Sequence, residues 1–367
     1  MRSNLVNFQE KGGAIIIDSD GRNALCSVVV PGESLNQDIL NRLLTLARGP
    51  LHLVISATRA HSFGLNLMSS SRRFAINVEG DVEGQCVSVE ARQGVSTGIS
   101  VADRICTIGI LSERIPDRTK IVSPGHIVPY VVRDGGVLIK HSIKEAALDI
   151  VRAGGFTEAA VVIDCLNHNG ELLKEVEVEN LSASLDLPVT SVEEVVRSRL
   201  LSERLINKEA ETIIPTEFGN FRGIIYSTPL QGREPLALIK GDINSELPVL
   251  TRVHVENSFE DIFGSGMQGN RRQLLHESMR RIDREGSGVI LYLRKGSDHQ
   301  KSSQIITPSH GDRIKEYGLG AQVLLDLGVK QIRLLTNSDK NLVGLDSFGI
   351  KIVQTETLNL SPGGRVL

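Results

Sequence analysis

The chain contains no tryptophan and only four tyrosines and nine phenylalanines in 367 residues. Base-stacking platforms are therefore scarce, and a formal charge of -3 offers no basic footprint for a phosphate backbone. Nucleic acid is not an expected partner. The four cysteines, Cys26, Cys86, Cys106 and Cys165, stand far apart in no C-x-C or C-x-x-C spacing, and the second half of the chain has none. That pattern predicts neither a sequence-local zinc site nor a disulfide framework, and it fits ordinary reduced core thiols. No apolar run approaches the roughly 18 residues that cross a bilayer, so no membrane association is expected. The opening "MRSNLVNFQEKGG" lacks the apolar core of a signal peptide. A soluble, cytoplasmic protein is the expectation.

What is present is an average globular composition, 40% hydrophobic and 23% charged, in a chain longer than one core usually serves. Two domains follow. Apolar runs such as "GAIIID" (Gly13 to Asp18) and "LHLVIS" (Leu51 to Ser56) alternate with a helical pattern near Leu35 to Ala47, which indicates α/β or α+β layers. "CVSVEA" (Cys86 to Ala91) reads as a half-buried strand. In "KHSIKEAALDIVRAGG", Ser142 and Glu145 form a capping box and Gly154-Gly155 a stop, predicting a helix from Ile143 to about Ala153. The charged stretch from about Leu173 to Thr212, interrupted by Pro188, reads as a helical connector. Beyond it, "IPTEFGNFRGIIYSTPLQGREPLALIKGDI" predicts antiparallel strands, followed by an α/β stretch through "SGVILYLR", "IKEYGLGAQVLLDLG", "QIRLLT" and "GIKIVQT". The expected division is 1–200 and 201–367.

The stretch "GSGMQG", Gly264 to Gly269, spells the G-x-G-x-x-G pattern of dinucleotide-binding turns and runs into the helical "NRRQLLHESMRRIDREG". A fingerprint also needs a buried strand before it and an acidic residue closing the next strand. The preceding "VHVENSFEDIF" is too polar for a central parallel strand, and "GVILYL" ends in Arg294-Lys295, so a nucleotide fingerprint is not expected here.

A different likeness accounts for these surroundings. Through "IPTEFGNFR", "GREPLALIKGDI", "RVHVE", "DIFGS", "REGSGVILYLR", "YGLGAQVLLDLGV", "IRLLTN" and "GLDSFGIKIV", the second half resembles GTP cyclohydrolase II, the zinc enzyme that opens the guanine ring of GTP. Through "VSVEARQGVSTGISVADRICTI", "PGHIVP" and "RDGGVL", the first half resembles 3,4-dihydroxy-2-butanone 4-phosphate synthase, which rearranges ribulose 5-phosphate and expels formate. The order is that of the bifunctional riboflavin-biosynthesis fusion. The resemblance implies a synthase-like α/β and α+β domain followed by a cyclohydrolase-like one, and a homodimer.

The resemblance also implies sites, and at these the chain departs from the family. The three zinc-binding cysteines fall on Asn257, Gln268 and Asn270, and neutral amides are poor zinc ligands. An Asp and an Arg near the "YGLG" helix fall on Arg313 and Lys315, behind a shortened segment. Thr336 and Asn337 keep the family's "TN", either as a purine-nucleotide contact or as a strand-ending turn. In the synthase half the Mg²⁺-binding Glu falls on Asn23 and the Mg²⁺-binding His on Ile143. Ser27 replaces an Asp near the substrate, Lys144 a substrate-contacting Thr, and Asp164 a Glu. Thr97, Gly98, Asp103, Arg104 and His126 match the phosphosugar pocket; they hold an anion there or persist as scaffold, with Asp103 pairing Arg104 or capping a helix.

The expectation is thus a pseudoenzyme: a riboflavin-pathway homologue without the inherited Mg²⁺ and Zn²⁺, needing no other cofactor, and acting as a ligand-binding, regulatory or assembly protein. Its expected partners are a second copy, a phosphosugar or purine nucleotide, and a riboflavin-pathway enzyme. The alternative is a repurposed lyase or hydrolase, or residual pathway activity, with Asp18, Asp20, His126, His141 and Lys144 as candidates. His141 is expected to point away from the lost metal position, being exposed or engaged in capping.

Overall fold

The computed structural model describes residues 8–19, 24–68, 83–230, 232–263, 271–294, 310–337 and 345–358. The chain forms two compact units, Met1–Ser198 and Arg199–Leu367.

The first unit is built on strands β1 (Ala14–Ser19), β2 (Ala24–Pro31), β3 (Arg48–Ser56), β4 (Gly84–Gln85), β7 (Pro129–Val132), β8 (Ala159–Cys165) and β9 (Val189–Ser191), with β5 (Val89–Ala91) and β6 (Ile121–Ile127) pairing separately. The sheet order is β4-β7-β3-β8-β2-β1-β9. It is mixed: β3 with β7 and β1 with β9 are parallel, while β1-β2-β8-β3 run antiparallel. The central β8 reads "AAVVIDC" with no polar residue before Asp164, and Ala159 through Ile163 are fully buried. A strand covered on both faces needs that continuous apolar run.

Helix α1 (Gln37–Ala47) starts where Asn36 accepts the amide of Ile39 at 2.9 Å, and buries Leu40, Leu43 and Ala47. The short α2 is Ala57–Ser62, and α3 (Val101–Leu111) is capped by Ser100. Helix α4 spans Ile143–Ala153, as its pattern predicts, and Gly155 beyond it takes a positive φ of 79°. The capping box does not form. Ser142 makes no cap bond to the helix backbone, because its hydroxyl donates instead to the buried Glu145 carboxylate. The expected half-buried strand over Cys86 to Ala91 is shorter: Val89–Ala91 is buried and pairs with β6, while Cys86 makes an isolated bridge to Leu67. The expected connector is also richer than a run of helix. Helix α5 (Glu175–Leu185), the edge strand β9 behind Pro188 and helix α6 (Val192–Ser202) follow one another, and β9 extends the sheet beside β1.

The second unit holds β10 (Asn207–Thr216), β11 (Gly219–Ser227), β12 (Leu236–Lys240), β13 (Val249–Val255), α7 (Ser258–Phe263), α8 (Arg271–Glu285), β14 (Gly288–Leu293), α9 (His310–Asp326), β15 (Gln331–Leu335) and β16 (Lys351–Glu356). Its order is β10-β11-β12-β14-β13-β15-β16, antiparallel as far as β14 and parallel beyond it. Strand β13 overturns the expectation drawn from "VHVENSFEDIF". It is a central parallel strand, buried from Val249 to His254. The acidic residues lie past its end; within it Thr251 donates to the Val249 carbonyl at 3.1 Å and Arg252 Nη1 to the Leu335 carbonyl at 2.8 Å, while Arg252 Nε has no hydrogen-bond partner among the described residues. The glycine motif that follows lies outside the described residues.

Candidate functional site

In the first unit β5 and β6 bring Glu90 and His126 together, with His126 Nδ1 2.7 Å from Glu90 Oε2. The other Glu90 oxygen accepts the hydroxyl of buried Thr107 at 2.8 Å. Gly98, at φ 80°, lies against this pair, and a Cβ there would overlap both Glu90 and His126. Only glycine fits this position without displacing them.

Asp103 secures the same loop rather than pairing with Arg104. Its carboxylate accepts the Ser96 amide at 3.1 Å, the Ser96 hydroxyl at 2.9 Å and the Gly98 amide at 3.0 Å. These donors, the Ser96 amide first, hold it below the usual carboxylate range. Thr97 and His126 are left exposed, and the half-buried Arg104 has its Nε hidden without a hydrogen-bond partner among the described residues.

A second cluster lies at the end of the sheet where β8 finishes. Ser27 and Asp164, both singled out by the family likeness, face each other across β2 and β8, and the Ser27 hydroxyl donates to Asp164 at 2.8 Å. His52 of β3 stands 3.8 Å from the same carboxylate. Burial, and then the nearby Lys144 ammonium, lower the His52 pKa from its ordinary value. Lys144, in the first turn of α4, lies 5.1 Å above the Tyr130 ring. Ile143 beside it is buried and aliphatic. Its side chain offers no donor to a cation, and Asn23 and Asp20 lie outside the described residues.

His141 is not exposed, nor is it engaged in capping. The turn before α4 carries its Nε2 to 3.5 Å from Asp18 of β1 and 3.4 Å from Glu193 of α6, all three being half-buried. The Asp18 carboxylate, then Glu193, push the imidazole up to about 9, and His141 brings Glu193 down to about 2. Sequence spacing could not place Glu193 here, because it arrives through the unexpected strand β9.

In the second unit, Asn257 is engaged with its own helix start. Its side chain accepts the Glu260 amide at 3.4 Å and its own amide donates to Asp261 at 2.9 Å, so it starts α7 as a reciprocal cap. Asp261 also meets His254 Nε2 at 2.9 Å and the Tyr292 hydroxyl at 3.1 Å, with the His254 and Tyr292 rings stacked at 5.4 Å. Burial lowers the His254 pKa; it would raise that of Asp261, but the hydrogen bonds from His254 and Asn257 keep that carboxyl below its ordinary value. Gln268 and Asn270 lie outside the described residues. Arg313 and the buried Lys315 stand on α9. Thr336 is buried, and both ends of the Asn337 amide bind the Leu358 backbone, at 2.9 and 2.8 Å. That arrangement ties the residue after β15 to the chain beyond β16.

The family profile for 3,4-dihydroxy-2-butanone 4-phosphate synthase matches residues 4–198, and that for GTP cyclohydrolase II matches residues 207–357. Riboflavin biosynthesis protein RibBA of Phocaeicola vulgatus is 30% identical over 377 residues, covering 98% of this chain and 91% of its own length. The protein of the same name from Bacillus cereus is 30% identical over 371 residues, covering 96% and 91%. The crystal structure of RibBX from A. baumannii, described as a two domain 3,4-dihydroxy-2-butanone 4-phosphate synthase, superposes with a TM-score of 0.76 at 23% identity over 97% of this chain and 98% of that one. Among the described residues, no helix is long and apolar enough to cross a membrane.

Proposed function

We propose that this chain, which belongs to the RibBA family joining a 3,4-dihydroxy-2-butanone 4-phosphate synthase domain to a GTP cyclohydrolase II domain, acts on a phosphosugar of the ribulose 5-phosphate class in its first unit. Its second unit does not open GTP by zinc chemistry. The observation that carries the reading is the Ser27–Asp164 contact of 2.8 Å beside His52, which keeps a carboxylate poised although both residues differ from the family's. Enolising a ketose needs a proton acceptor within hydrogen-bond reach of the carbon acid and a donor at the developing oxyanion. Asp164 serves as the acceptor, oriented by the Ser27 hydroxyl, and the Lys144 ammonium faces the same end of the sheet. Thr97, Arg104 and His126, around the rigid Gly98 turn, supply donors for the phosphate. No step is assigned to Mg²⁺, since Ile143 cannot hold it.

The test is formate release. Purified protein supplied with Mg²⁺ and Zn²⁺ is expected to release formate from ribulose 5-phosphate and none from GTP. No release from the sugar would remove the enzymatic reading of the first unit, and release from GTP would remove the reading of the second. A second reading is favoured by the buried aliphatic Ile143: a protein silent in both reactions that binds the phosphosugar and works as a regulatory or assembly partner of a riboflavin-pathway enzyme, as a homodimer. It is distinguished by a rise in melting temperature with ribulose 5-phosphate in the absence of turnover. Purine-nucleotide binding through Thr336 and Asn337 is not part of either reading, because the Asn337 amide is already spent on Leu358.

A further inference from the structure

We propose that Asp18, His141 and Glu193 form a site for one divalent transition cation, separate from the positions at which the family holds its metals. Three elements distant in sequence deliver one nitrogen and two oxygen donors, all within 4.8 Å of one another. The spacing is informative. The two distances from His141 Nε2, 3.5 Å to Asp18 and 3.4 Å to Glu193, are long for a hydrogen bond, whose range is about 2.7–3.2 Å. Donors held about 2.0–2.2 Å from a tetrahedral cation stand about 3.3–3.6 Å apart, which is where the two distances from His141 fall.

Ligand type narrows the cation. An imidazole with two carboxylates suits Zn²⁺, Mn²⁺ or Co²⁺, whereas Mg²⁺ prefers an all-oxygen octahedron that keeps several waters. Three protein ligands leave a tetrahedral ion one open position, and side-chain exposures of 25%, 24% and 22% give that position access to solvent. The location ties the site to the sheet end described above. β1 pairs with β2, which carries Ser27, and His141 stands three residues before Lys144. A cation here carries its open position at the same end of the sheet as Asp164, which suits an oxygen-rich ligand.

This inference does not depend on phosphosugar turnover, and its test reads the metal directly. The full chain, stripped with chelator and dialysed, is titrated with Co²⁺, Zn²⁺, Mn²⁺ and Mg²⁺, following cobalt absorption, metal content and melting temperature. The expected result is one Co²⁺ or Zn²⁺ per chain with a four- or five-coordinate cobalt spectrum, and Mg²⁺ binding far more weakly. His141→Ala and Glu193→Gln are each expected to weaken Co²⁺ binding on the order of tenfold or more, whereas His168→Ala, an exposed histidine elsewhere, leaves it unchanged. Glu193→Gln preserves shape and hydrogen-bonding capacity, so it decides the matter should His141→Ala fail to fold. No stoichiometric binding, or binding that neither variant weakens, would overturn the site.

Discussion

The positions at which the family likeness places site residues are held differently in the two units. In the first, replaced residues still face one another: Ser27 meets Asp164 across neighbouring strands, and Lys144 lies close enough to depress His52. In the second, Asn257 is bound into local structure, where it caps α7 and donates to Asp261. A site whose substitutes keep facing a common space retains capacity for chemistry. A site whose substitutes bind their own backbone does not, since those donors and acceptors are already satisfied.

The sharpest way to break this contrast is at Asp164. Asp164→Asn keeps the contact with Ser27 sterically but removes the proton acceptor, and formate release from ribulose 5-phosphate is expected to fall by about 10²–10⁴-fold with little change in melting temperature. Equal rates for variant and parent would leave the first unit without a reason for its cluster. Next in size is His254→Ala in the second unit. It leaves the Asp261 carboxylate, 5% exposed, without its 2.9 Å contact to His254 while the Asn257 amide and Tyr292 hydroxyl remain, and a lost hydrogen bond to a charged group costs about 1.5–3 kcal/mol. Denaturant unfolding of the parent and variant measures this, and a loss below about 1 kcal/mol would mean that Asp261 is supported by Tyr292 and Asn257 alone.

Gly98→Ala probes the first unit less severely. The positive φ and the crowding against Glu90 and His126 predict about 1–3 kcal/mol of destabilisation. The same change is expected to abolish the thermal shift produced by ribulose 5-phosphate, because the loop bearing Thr97 would have to move. A variant that loses stability but keeps the shift would assign the loop to scaffold.

The sequence made the apolar architecture legible and the polar convergence much less so. Helix α4 follows from its periodicity and its Gly154-Gly155 stop, and β8 from an unbroken apolar run. Strand β13 was obscured because "VHVENSFEDIF" runs past the strand's end at Val255 into Glu256, Asn257, Glu260 and Asp261, and composition does not mark where a strand stops. His141 was misjudged for a different reason. Its direction depends on Glu193, delivered by the three-residue strand β9, which is too short to register as a pattern. Family likeness pointed to Ser27 and Asp164 individually but said nothing of His52, whose signal is a titratable residue within the apolar run from Leu51 to Ile55.

The smallest effect tests the second unit's side of the contrast. Asn257→Ala removes a cap whose acceptor bond to the Glu260 amide is long, at 3.4 Å, so the loss should fall at the lower end of the about 0.5–2 kcal/mol that such caps contribute. Because α7 is a single short helix, the loss is expected as faster hydrogen exchange of its own amides rather than as a shift in global unfolding. Chelator added to the parent protein should leave those amides unchanged if Asn257 is a cap and not a ligand. A chelator-dependent increase in their exchange, absent in Asn257→Ala, would instead return metal binding to this position and erase the difference between the two units.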